Sequence, residues 1–233
     1  PLLGVEAQIY EHSSFSCKHI HLDSESNEKS FVVAFRTIPK DSTGVAHILE
    51  HTVLCGSKRY PVRDPFFMMI RRSLSTFMNA MTSQDTTMYP FSSVNDQDFK
   101  NLLDVYLDAT FFPNLNELDF MQEGHRYEIE KGQNNEEKLL LKGVVYNEMI
   151  GAMSSVPSQL YQGLSEFLYP KTTYKYNSGG DPEVIPELTY RDLVNFHKNY
   201  VNSSFIVSQA IFISLNRFVA IRMASSGTPL EII

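Results

Sequence analysis

Two histidines stand four residues apart in "GVAHILEHTVLCGS", which begins at Gly44, and a glutamate precedes the second. On an α-helix, residues i and i+4 lie within about 40° of each other. His47 and His51 therefore project from one face, and Glu50 leans toward the same side. Two imidazoles so placed can share one zinc ion and leave the carboxylate beside a water in the remaining position. Zinc lowers the pKa of such a water toward about 7. The carboxylate can then take its proton and pass it to a leaving amine. The order His-x-x-Glu-His reverses the zinc-hydrolase order His-Glu-x-x-His. The pattern also fits three polar residues that merely share a helix face, since histidines beside apolar neighbours are often ordinary core or surface residues.

A third ligand separates the two readings. Glu148 lies in "GVVYNEMIG", within an apolar stretch of helical character. A carboxylate there is costly unless it is paired or metal-bound. The alternative is an exposed glutamate on the polar face of an amphipathic helix whose buried face is Val144, Val145, Met149 and Ala152. A closed structural zinc site takes four protein ligands and has no use for Glu50, and no fourth ligand is evident. The only cysteines are Cys17 and Cys55. They offer no disulfide framework and no Cys-x-x-Cys pair, and a reducing compartment is the default. Cys55 reads as a small buried hydrophobe.

The elements that must carry these groups follow from periodicity. Residues 1–40 read as strands, in "GVEAQIY", "FSCKHIHL" and "KSFVVAFRTI". The period changes in "DSTGVAHILEHTVL", with Asp41, Ser42 and Thr43 as candidate helix caps and Val45, Ile48, Leu49 and Val53 at helical spacing. "YPVRDPFFMMIRRS" combines proline turns with a short amphipathic stretch. "TFMNAMT" and "TTMYPFSS" read as strands joined by "SQD". "DQDFKNLLDVYLDATFF" is an amphipathic helix ending before Pro113. "NELDFMQEGHRYEIE" reads as a second helix and "KGQNNEEK" as a polar loop. The stretch 139–170 reads as mostly helical, interrupted near Pro157. "SGGDPEVIPEL" is a Gly/Pro loop, and "TYRDLVNFHKNYV" a helix capped by Thr189. From Ser203 the chain is apolar and β-rich, with Asn216 and Arg217 interrupting it. It is too polar and broken for a membrane span.

The 233 residues suffice for one large domain or two small ones, and 42% are hydrophobic, ordinary for a soluble globular protein. A net charge of −7, with no Lys/Arg-rich block, argues against a nucleic-acid binder. The first twenty residues lack the charged and apolar regions of a signal peptide.

The blocks "HILEHTVLCGSKRYPVRDPFF", "RRSLSTFMNAMTSQDTTMYPFSS", "DFKNLLDVYLDATFFPNLNELDFMQEGHRYE", "KGVVYNEMIGA" and "SGGDPEVIPELTYRDLVNFHKNY" resemble, in order, the pitrilysin family of inverzincin metallopeptidases. The resemblance runs from about Gly4 to Tyr200 and is nearest to the branch that degrades cleaved mitochondrial targeting peptides. It implies zinc ligands at His47, His51 and Glu148 and a general base at Glu50. It implies that Asn79 and Ala80, on an edge strand, line the scissile bond, beside an apolar wall of Leu54, Phe66, Phe67 and Ile70. An exposed edge accepts an extended peptide through main-chain hydrogen bonds. The fold implied is α+β, a mostly antiparallel sheet with helices packed on one face. Substrates implied are unstructured peptides, presequences and amyloid-type peptides among them, in the mitochondrial matrix.

There are departures. Other branches carry a second glutamate seven residues before the distal ligand, where this chain has Leu141. Ile150 stands where related sequences have a lysine. After Tyr200 the sequence leaves the family pattern. Residues 1–202 are thus expected to form the zinc-protease domain, and 203–233 a divergent tail from truncation, splicing or gene assembly. The family closes two halves around a peptide chamber, and the second half, which supplies an Arg and a Tyr to the substrate, is expected outside these residues. A zinc-binding but inactive form, acting as a regulatory or structural subunit, is the rival expectation.

Overall fold

The computed structural model describes residues 4–11, 17–131, 137–200, 210–216, 221–222 and 231–232. The β-rich opening gives β1 (Glu6–Glu11), β2 (Lys18–Asp23) and β3 (Lys29–Arg36). The His-x-x-Glu-His stretch forms α1 (Val45–Val53). None of the three polar cap candidates caps it. Gly44 holds the N-cap position at φ 69° with no side-chain cap, while Asp41 accepts from the backbone and hydroxyl of Thr43 at 2.9 and 2.6 Å. The reason is a close approach. A Cβ on Gly44 would lie 2.7 Å from the carbonyl oxygen of Gly179, so only glycine admits both the left-handed turn and the neighbouring chain.

Next come α2 (Pro65–Arg72), β4 (Ser75–Met78), β5 (Met81–Thr82) and β6 (Thr86–Ser93). The long amphipathic helix is α3 (Asp96–Phe111), and Asn95 caps it by accepting from the amides of Gln97 and Asp98. The expected helix after it is shorter than its sequence pattern suggests. Helix α4 (Glu117–Glu123) stops at Gly124, and the chain continues as β7 (Arg126–Lys131), paired with β8 (Glu137–Lys142). "RYEIE" alternates with period two, and across the hairpin Lys142 pairs with Glu128 at 3.1 Å. Pairing between strands outweighs the helical reading of "LLLK". Most of the expected polar loop, 132–136, lies outside the described residues. Helices α5 (Val144–Met153) and α6 (Val156–Leu168) are separated as Pro157 implies, with Ser155 capping the second. Helix α7 (Tyr190–Tyr200) opens with a reciprocal capping box. Thr189 accepts from the Asp192 amide at 3.2 Å, and Asp192 accepts from the Thr189 amide at 3.3 Å.

Strand β9 (Ile211–Leu215) follows, then the short pair β10 (Ile221–Arg222) and β11 (Glu231–Ile232). The main sheet runs β1-β2-β9-β3-β6-β4, with β5 also on β6. Among the described residues only the β2–β9 pair is parallel. The fold is therefore α+β with a mostly antiparallel main sheet, as the family resemblance implies. Strand β9 comes from the apolar tail yet lies inside the sheet, between β2 and β3. Asn216, read as an interruption, ties the β2–β3 turn. Its side chain accepts from the Ser24 amide at 2.8 Å and donates to the Ser26 and Glu28 carbonyls at 2.9 and 2.7 Å. Arg217 lies outside the described residues.

The core sits between this sheet and α3. Phe91 and Phe212, both packed on Phe31 of the strand between them, meet Phe99, Tyr106 and Phe111 from α3, with ring separations of 4.9–6.3 Å throughout the cluster. No helix among the described residues is long and apolar enough to cross a membrane. Phe212→Ala should cost about 3–5 kcal/mol, read by chemical denaturation. Unchanged stability would show that β9 does not belong to the sheet.

Candidate metal centre

Helix α1 presents His47 and His51 on one face, their rings 5.1 Å apart and nearly perpendicular. Helix α5 brings Glu148 opposite them. Its Oε2 lies 3.7 Å from His47 Nε2 and 3.6 Å from His51 Nε2. One donor atom from each of the three lies within 4.8 Å of the others, and among the described residues no other such group of three forms. The Glu148 side chain is 51% exposed, as on the polar face that the alternative reading describes, but it faces the two imidazoles. Val145 and Met149 form the buried face of α5, whereas Val144 and Ala152 are exposed.

The outer nitrogens of both rings are anchored. His47 Nδ1 lies 2.9 Å from the carbonyl oxygen of Gly179, which can only accept. The ring therefore donates from Nδ1 and keeps a lone pair on Nε2, toward Glu148. Gly179 is held there by a short loop. The Asp181 amide donates to the Ser42 carbonyl at 2.8 Å, and Asn177 accepts from the Gly179 amide. His51 Nδ1 lies 3.1 Å from Oε2 of Glu123, a buried carboxylate on α4. Burial alone would lower the His51 pKa. The hydrogen bond to Glu123 and the charges of Glu148 and Glu50 outweigh it, and the pKa is raised. Burial would likewise raise the Glu123 pKa, but hydrogen bonds from His51 and Gln122 bring it below its usual value.

Glu50 is buried in the same cleft, and the Thr82 hydroxyl donates to its Oε2 at 2.6 Å. The donor set fits a borderline cation such as zinc. Two imidazole nitrogens and one carboxylate oxygen converge, a fourth position is left open, and a carboxylate stands by.

The cleft encloses about 640 Å³. Leu54, Phe66, Phe67 and Ile70 line it, as do Asn79 and Ala80, so the structure brings every sequence-derived site residue to one place. Asn79 and Ala80 break what reads in sequence as one strand, separating β4 from β5. Opposite the break is Pro90 of β6. Its carbonyl accepts from the Asn79 amide at 3.1 Å, and it has no N–H to offer on that same side. Strand β4 ends the sheet, and among the described residues nothing pairs with its outer side.

Three members of the site were not singled out in sequence: Gly179, Thr82 and Glu123. For Glu123 a signal exists. It falls three residues after Phe120, on the buried face of α4, where a carboxylate demands a partner.

Residues 36–156 match the family model described as Insulinase (Peptidase family M16). The chain belongs to peptidase family M16. Mouse mitochondrial presequence protease is 53% identical over 204 residues, covering 88% of this chain. This M16 chain spans about one fifth of the length of that relative, 20%. Two solved structures share the fold. A Helicobacter pylori protease aligns with TM-score 0.70 at 18% identity, over 91% of this chain and 47% of its own. Pitrilysin aligns with TM-score 0.67 at 17% identity, over 91% and 21%.

Cys55 also lines the cleft. Burial, together with the carboxylates of Glu123, Asp119 and Asp64, pushes its thiol well above the usual range. At neutral pH, alkylation of Cys55 should be far slower than that of a free thiol. Mass-spectrometric timing of iodoacetamide labelling checks this, and rapid labelling would contradict the assigned surroundings.

Proposed function

We propose that this chain carries the zinc-binding part of an M16 peptidase that hydrolyses extended, unstructured peptides. The observation that carries the reading is the convergence of His47, His51 and Glu148 with buried Glu50 in one cleft beside an open sheet edge. His47 and His51 would hold zinc through Nε2 and Glu148 through a carboxylate oxygen. When bound, zinc supplies Lewis acidity, acidifying a water and polarising a carbonyl.

The protein's own residues do the rest. Glu50 acts as general base and returns the proton to the leaving amine. Thr82 holds one of its oxygens, which fixes the direction in which the other faces. An extended peptide pairs along β4, and the small side chain of Ala80 lets its backbone approach at the break opposite Pro90. Leu54, Phe66, Phe67 and Ile70 take an apolar side chain next to the scissile bond. The mouse relative is named for mitochondrial presequences, which supports cleaved targeting peptides as substrates and the mitochondrial matrix as location. Such peptides are basic, and the net charge of −7 favours their approach. Amyloid-type peptides share the same extended, unfolded form.

The test is zinc per chain together with cleavage of an unstructured basic peptide, with and without chelator. One zinc per chain and chelator-sensitive cleavage are expected. Zinc without cleavage would mean that groups beyond this chain are indispensable, and no zinc in the folded chain would end the reading. Glu50→Gln should keep zinc and lose about a hundredfold or more in rate. Glu148→Ala should weaken zinc binding by more than about a hundredfold, measured by chelator competition.

A further inference from the structure

Glu123 uses both carboxylate oxygens. Oε2 meets His51 Nδ1 at 3.1 Å, and Oε1 accepts from Gln122 Nε2 at 2.9 Å. Gln122 is in turn oriented by Arg63, whose Nη2 donates to Gln122 Oε1 at 2.8 Å. The direction of each step is forced. A guanidinium only donates, so the oxygen of the Gln122 amide must face Arg63 and its NH₂ must face Glu123. An ionised carboxylate only accepts, so His51 must donate from Nδ1. The lone pair is then on Nε2, the atom that faces Glu148. Arg63 and Gln122 do not line the metal cleft. They line a second cleft of about 580 Å³, and Cys55 touches both clefts.

We propose that Arg63, Gln122 and Glu123 are positioning residues, a directed relay that fixes the His51 tautomer and its aim from outside the metal cleft. The inference rests on the metal-binding reading above. Outer partners of metal-bound histidines commonly set ligand basicity and orientation in this way. Here the relay reaches two residues further, to a side chain bordering a different surface. Changes at that surface therefore reach the metal group without touching it.

The relay makes a polarity prediction that simple packing does not. Glu123→Gln keeps the shape but offers an amide where two acceptors are needed, so one contact must fail. Zinc affinity should fall 10–100-fold. Adding Gln122→Glu reverses the order of amide and carboxylate. The new carboxylate at 122 accepts from Arg63 and from the amide at 123, whose oxygen again accepts from His51. The double variant should regain about tenfold or more of the lost affinity.

The experiment is zinc titration by chelator competition on the full chain, wild type, single and double variant. It is paired with nitrogen NMR of His51 in the metal-free wild type, at a pH where the ring is neutral. The Nδ1–H tautomer is expected. A double variant no tighter than the single one, or a single variant equal to wild type, overturns the relay. If the wild type binds no zinc, the metal reading fails by itself and the tautomer decides the relay, with Nε2–H overturning it.

Discussion

The backbones of Gly124 and Gly143 approach so closely that a Cβ on Gly143 would lie 1.9 Å from the Gly124 carbonyl oxygen. That contact sets where α5 begins on the end of α4, and so how far Glu148 stands from the two histidines. Helix α4 packs against both α1 and α5. It thus spans the distance between ligands almost a hundred residues apart in sequence. The same seven-residue helix carries Glu123, which holds His51. A shift of α4 would move one ligand and release the hold on another, so the metal group depends on it as a unit.

The electrostatics of the cleft point the same way. Glu50 and Glu123 are buried, and Glu148 leans toward two imidazoles that present lone pairs. Three carboxylates beside two imidazoles crowd acidic groups into a place partly shielded from water. Buried charge is tolerated when it is paired or coordinates an ion. Thr82 and Gln122 relieve part of the cost through hydrogen bonds. A divalent cation among the three ligand atoms would offset much of the remainder.

Much of this was legible in the residues. The spacing of His47, Glu50 and His51 is a local property of one helix, and local periodicity reports it directly. Thr189 shows itself as a cap because capping is a short-range rule. What could not be read depends on distant neighbours. Asp41, Ser42 and Thr43 have the right chemistry for a cap, yet the passage of Gly179 and Gly180 beside Gly44 decides the turn. "LLLK" is apolar enough for a helix, but its partner "RYEIE" makes it a strand. The Asn79–Ala80 break is set by Pro90 across the ladder. Glu123 was visible only as a carboxylate on an apolar helix face, with nothing in sequence to connect it to His51.

The place of β9 bears on how the chain acquires its shape. Strands β2 and β3 are neighbours in sequence, joined by a short turn, and would ordinarily pair as a hairpin. In this sheet they are held apart by a strand lying about 190 residues further along, and Ser214 of that strand meets both His19 and His21 at 2.8 and 2.9 Å. Closing such a long loop comes late and slows folding. During synthesis, the apolar sides of β2 and β3 must wait until β9, so much further along, has left the ribosome. A premature β2–β3 hairpin would be the trap to avoid, and an unfilled slot in mid-sheet presents backbone edges on which other chains can add.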